Sequence, residues 1–309
     1  MTGLHFYNEN STFDHMKASD FSARTEINLK MASLIIIGAV YVVACIAGIC
    51  LFQLLIRSIP EIPALLGADF LATLVVWGAG IKWRNVSVYD PYWSVAPPVI
   101  LTIWAFYKHC FTLPVALLLV AVWYWGTRLT LNWAGTFKSL AYEDWRYTRY
   151  RKNLSPFRFH LVNLFGLNYF PTLIVFACML PGLGVFDSHA PAGAWTWVGF
   201  TMCIAAPTIQ LVADRQIHIF RAEHPGRYCD TGLWKHGRHP NYFGEILMWW
   251  GVWVMYVSLE GFAKHPLYVL APIAMTAMFL FISIPMMERR QLQNKPGYAE
   301  YRRRTRILF

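Results

Sequence analysis

Gly232-Leu233-Trp234-Lys235-His236-Gly237-Arg238-His239-Pro240-Asn241-Tyr242-Phe243-Gly244-Glu245 is a basic loop that runs straight into an apolar segment. Pro240 suits the first position of a helix, where a missing N–H costs nothing. The free amides of the first turn, those of Asn241 and Tyr242 among them, carry partial positive charge, and Lys235, His236, Arg238 and His239 add to it. Such an end favours an anion, such as the phosphate of a cofactor. Asn241 and Glu245 fall four apart on one helical face, so a carboxamide and a carboxylate point the same way. Headgroup binding by a juxtamembrane loop accounts for Lys235 and Arg238. It does not account for a carboxylate one turn into an apolar helix, which needs a partner and marks a functional site.

Outward from this segment the chain is strongly apolar. Of its 309 residues 56% are hydrophobic and only 14% charged. The runs 33–56, 65–81, 95–107, 113–127, 161–180, 194–213, 241–258 and 267–287 read as bilayer spans. Helices are the spanning form that fits runs of this length. The expected fold is therefore an all-α, polytopic transmembrane bundle of seven or eight spans. If the spans alternate, residues 1–32, the loops 82–95, 135–159 and 214–239, and the C-terminal tail share one side and hold 23 of the 27 basic residues. That asymmetry places both termini in the cytosol of a bacterial inner membrane or endoplasmic reticulum protein. It also explains the net charge of +10 through membrane lipids, without nucleic acid. Residues 1–32 form a polar tail, and 33–309 a single membrane domain with the polar chemistry in about 120–309. The six cysteines show neither a disulfide framework nor metal-ligand spacing.

Other polar residues recur near the basic side. Asp214, His218 and Arg221 lie near one helical face, fit either for adenosine and phosphate or for a helix-end salt bridge. Tyr124, Arg128 and Asn132 line one face of the fourth span, where an arginine needs an anion, carbonyls or a route to the interface. In Glu143-Asp144-Trp145-Arg146-Tyr147, Arg146 either snorkels or grips a phosphate in bidentate fashion. Asp90 precedes Pro91 at the start of the third span. It either caps that helix or, in a dry aromatic site that raises its pKa, donates a proton to a substrate carbonyl.

Together these pieces resemble the steroid 5-alpha-reductase-like membrane family, in its DUF1295 branch. The residues that carry the likeness are Ser87 to Trp93, Gly126 to Leu129, Glu143 to Tyr147, Ala213 to Gln216, Asp230 to Trp234, Arg238 to Glu245, and the tail from Glu288 to Thr305. The resemblance covers roughly residues 70–309. It implies a helical-bundle reductase holding NADPH at its cytosolic side, 3-oxo-5-alpha-steroid 4-dehydrogenase-like, acting on a CH–CH bond of a lipid-like or steroid-like substrate. By that likeness Asn241 and Glu245 contact the nicotinamide end, with His239 and Tyr242 beside them. Asp214 and Arg221 serve the adenosine and phosphate part. Arg128, Arg146 and Arg238 are further contacts, and Tyr298 helps close the site. Asp90 and Tyr124 are the candidate acids. Steroid reductases of the family carry a Gln-Glu pair before a Leu-Pro and a Tyr three residues before an Arg. Here Asp90 precedes Pro91, and Trp125 stands three before Arg128. Isoprenylcysteine methyltransferases share the Arg-His-Pro-x-Tyr segment and use S-adenosylmethionine, which gives a second enzymatic reading. A lipid-binding membrane protein without catalysis is the third.

Overall fold

The computed structural model describes residues 9–309, with side chains from Thr25 onward. The first eight residues of the expected polar tail lie outside the described chain. Its helices are α1 (Glu9–Leu55), α2 (Glu61–Lys82), α3 (Tyr92–Tyr107), α4 (Leu113–Thr136), α5 (Trp145–Asn153), α6 (Pro156–Val185), α7 (Ala194–Glu223), α8 (Pro240–Glu260), α9 (Pro266–Asn294) and α10 (Tyr298–Arg304). Among the described residues there is no strand, and the fold is all-α. Every apolar run read from the sequence falls on one of these helices. Six of them, α1 from Thr25, α2, α4, α6, α7 and α9, are long and apolar enough to cross a membrane. The chain is a multi-pass integral membrane protein. The other two runs fall on α3, of 16 residues, and on α8, of 21 residues, which carries polar side chains.

Local chemistry sets the ends. Asp144 caps α5 by accepting from the Arg146 amide at 2.9 Å. Pro156 and Pro240 open α6 and α8, where a proline lacks nothing. Gly261, at φ 77°, follows the last turn of α8. Two π segments, Val162–Tyr169 and Phe279–Ser283, widen α6 and α9. Such segments cluster at functional positions in helices.

The contacts divide the chain into two compact units. The first takes the described chain up to Asp90 with Ala134–Leu164, and the second takes Pro91–Trp133 with Phe165–Phe309. In the first unit α1 packs along α2. The loops that follow α2 and α4 are hydrogen-bonded together, which is why 134–164 belongs with the first two helices. Asn85 donates to the carbonyls of Leu140 and Tyr142, and the Asp144 amide donates to Ser87 Oγ.

In the second unit α7 and α8 form the main packed pair. Small residues let their backbones approach, the usual device where no water drives helices together. A Cβ on Gly244 would lie 2.7 Å from the Ala206 carbonyl oxygen and against Gln210. Gly126 of α4 likewise meets the Ser94 carbonyl of α3. Gly244→Ala is expected to lower stability by about 1–3 kcal/mol, the usual cost of overpacking. Thermal unfolding in detergent measures it, and an unchanged midpoint would contradict the close approach.

Candidate functional site

The centre of the second unit is a buried polar network. Arg128, 6% exposed, points from α4 to α7, donating from Nη1 to Gln210 Oε1 at 3.0 Å and from Nη2 to the Asp214 carboxylate. Gln210 in turn donates to Glu245 Oε2 at 2.9 Å and to the Asn241 carbonyl at 3.2 Å. The Glu245 carboxylate, 2% exposed, also accepts from the Trp125 indole at 2.9 Å and from the Trp249 indole at 3.0 Å. Asn241 donates to Asp214 at 3.4 Å, and its side-chain oxygen accepts from the Tyr242 amide at 3.0 Å. The first turn of α8 thus uses Asn241 to satisfy one of its own free amides. Arg128, Asp214, Asn241 and Glu245 are thus joined, through Gln210, in one hydrogen-bonded network.

The balance of this network is informative. Two carboxylates, Asp214 and Glu245, face one guanidinium. Nε of Arg128 is buried and has no acceptor. A buried N–H without a partner is unusual and calls for an acceptor. Tyr124 stands apart from the network, its hydroxyl 3.1 Å from Thr208 on a lightly covered face. His218 and Arg221 are exposed on α7, and Asp214 pairs with Arg128.

A second cluster lies between the start of α8 and the C-terminal tail. Arg238 Nε donates to Glu288 at 2.7 Å, and Nη1 donates to the carbonyls of Arg302, at 2.9 Å, and Thr305. The ring of His239 lies 3.2 Å from the same carboxylate and stacks on Tyr242. Arg302 adds a second guanidinium to Glu288 at 2.9 Å. The Arg238 amide donates to the Arg306 carbonyl, and Tyr301 donates to the Trp234 carbonyl at 2.5 Å. Arg238 therefore clamps the tail against the 232–239 loop. Tyr298 is buried in this tail, 4% exposed.

Burial, with the Glu288 carboxylate adding to it, pushes the Tyr298 phenol up to about 12. Its unfolded value is about 10, so the neutral form is favoured by folding. The stability it contributes is complete below pH 10 and is lost as pH rises toward 12. Tyr298→Phe is expected to flatten the fall of the melting temperature across that window, and an identical alkaline profile would contradict this.

In the first unit the two loops build a third cluster. The Tyr147 hydroxyl, on α5, donates to Asp90 Oδ1, and Arg146 Nη2 lies 3.6 Å from Oδ2. Arg146 also pairs with Asp144 at 2.8 Å. Glu143 accepts two bonds from Arg151 and one from the Val86 amide at 3.0 Å. Asp90 does not cap α3, whose cap residue is Pro91 and whose end lacks a side-chain cap bond. Its oxygens face Tyr147 and Arg146 instead. Burial and the adjoining Asp90 carboxylate raise the Tyr147 phenol, keeping it protonated.

Site residues outside the sequence-based expectation include Trp125, Gln210, Trp249 and Glu288. Glu288, an ionisable residue directly after an apolar run, shows its need of a partner in the sequence, whereas Gln210, a neutral amide, does not. A tryptophan inside an apolar run gives no sign that its N–H holds a carboxylate.

No solved structure matches the chain. An uncharacterized protein of Schizosaccharomyces pombe (strain 972) is 24% identical over 208 residues, 59% of this chain, and the match spans 60% of that relative's length. A family described as proteins of unknown function matches residues 76–305, which include every residue of the three clusters except Arg306. The chain belongs to this DUF1295 family, the steroid 5-alpha-reductase-like branch.

Proposed function

We propose that the chain is an NADPH-dependent reductase of an activated C=C bond in a lipid-like or steroid-like substrate, embedded in the membrane with its cofactor site facing the cytosol. The observation that carries this reading is the buried network of Arg128, Asp214, Asn241 and Glu245, with an unfilled donor on Arg128. Its donors and acceptors suit a dinucleotide: a carboxylate and a carboxamide for the nicotinamide amide, a guanidinium N–H for a phosphate or carbonyl oxygen. NADPH, when bound, supplies a hydride for an electron-poor carbon. Glu245 and Asn241 orient that end, Trp125 and Trp249 keep water from it, and Arg128 supplies the positive charge. The tail held by Arg238 and Tyr301 braces the loop that leads into Asn241. An acid of the chain polarises the substrate carbonyl and gives it a proton.

Titration of the purified protein with NADPH and with S-adenosylmethionine tests the reading. The chain carries 14 Trp, so intrinsic fluorescence reports binding. NADPH is expected to quench, and Glu245→Gln to weaken it by about tenfold or more, roughly 1.4 kcal/mol. Binding of S-adenosylmethionine instead would assign a methyltransferase. Binding of neither would leave a lipid-binding protein.

A further inference from the structure

A pocket of 330 Å³ lies where the end of α2 meets the start of α6, wholly inside the first unit. That volume is at the small end of ligand pockets. Ile81, Leu154 and Phe159 give it apolar walls, while Arg84, Arg151 and His160 give it polar ones. Arg151 is engaged already: it pairs with Glu143 at 2.7 Å, and its guanidinium lies 4.3 Å from the centre of the Phe159 ring. Arg84 differs. It is exposed and forms no ion pair among the described residues.

The backbone of Arg84 is a second, independent sign. Its φ is 50°, in the left-handed region where a helix usually ends on glycine. The turn is fixed by bonds from the Arg84 amide to Ile81, from the Asn85 amide to Gly80, and from Arg151 to the Arg84 carbonyl. A residue with a side chain is strained there, and such strain concentrates at binding sites. The guanidinium is thus held beside the pocket by a turn that glycine would form more easily.

We propose that this pocket binds the phosphate headgroup of an anionic phospholipid. Arg84 and His160 take the phosphate, and Ile81, Leu154 and Phe159 take the first methylenes of the lipid. The walls sit at the ends of two helices long and apolar enough to span a membrane, where headgroup and chain meet. A free phosphate would use the cations and leave the apolar walls without a role. None of these residues belongs to the second unit, so failure of the cofactor reading leaves this site untouched.

Native mass spectrometry of the full-length protein in micelles tests it, with phosphatidylglycerol and phosphatidylcholine of identical chains as probes. The wild type is expected to retain phosphatidylglycerol about fivefold better, the worth of one cation at an anionic surface. Arg84→Gly removes the preference while melting no lower than the wild type, because glycine relaxes the turn. Arg84→Gln loses the preference as well, which separates charge from backbone. Lys152→Gln, an exposed cation outside the pocket, keeps it. Equal retention of both lipids by the wild type overturns the proposal, as does an undiminished preference in both Arg84 variants. Displacement of the lipid by inorganic phosphate at equal concentration assigns the pocket to a soluble phosphate and overturns it too.

Discussion

Arg128→Met lowers the stability of the detergent-solubilised protein by about 3–5 kcal/mol, the cost of removing one partner from a buried ion pair. The Arg128 side chain is 4% exposed and that of Asp214 is 11% exposed, so neither turns to water when its partner goes. Without Arg128 the network keeps two carboxylates, Asp214 and Glu245, and only neutral donors from Gln210, Asn241, Trp125 and Trp249. Unfolding curves of Arg128→Met, Asp214→Leu and the double variant form a cycle that isolates the pair. The double variant should recover much of the loss, because an apolar pair of similar volume replaces a charged one. A loss under about 1 kcal/mol for Arg128→Met would mean the pair is solvated like a surface bridge.

The helices and their polar faces were legible in the sequence because a bilayer leaves little choice. A run of about twenty apolar residues is a helix there, and an ionisable residue within it must find a partner. Glu245 announces itself on those terms, as do Arg128 and Asp214 at the ends of their runs, and Asn241 shares a helical face with Glu245. What joins them does not announce itself. Gln210 bridges Arg128 to Glu245, and the indoles of Trp125 and Trp249 hold that carboxylate from two sides, yet neutral donors in an apolar stretch read as packing. Arg238 shows a second limit. Its charge and its place before α8 suggest a phosphate contact, and the sequence gives no sign that its Nε and Nη1 are taken by Glu288, fifty residues away, and by two carbonyls of the tail. Local pattern reports that a cation needs partners, and only the fold says which. The polar stretch before the first span is helical from Glu9 and continuous with it, and Lys30 there reaches the Gly135 carbonyl at 3.1 Å.

Tyr147→Phe and Asp90→Asn test the third cluster inside the first unit. The Tyr147 hydroxyl donates to Asp90 Oδ1, and Arg146 Nη2 lies 3.6 Å from Oδ2. Burial, with the Asp90 carboxylate adding to it, raises the Tyr147 phenol, so folding favours its neutral form. The stability this contributes is complete below the unfolded tyrosine value of about 10 and is lost as pH rises above it. Tyr147→Phe takes a donor from the Asp90 carboxylate and is expected to lower stability at neutral pH by about 1–3 kcal/mol, the cost of an unmade bond to a charged group. The same variant should flatten the alkaline fall, because no phenol is left to ionise. Asp90→Asn keeps a partner for the hydroxyl but removes the charge beside it, so its alkaline fall should begin closer to the ordinary tyrosine range. Unfolding curves in detergent from neutral to alkaline pH measure both, and identical profiles for the wild type and Tyr147→Phe would mean that the phenol is open to water.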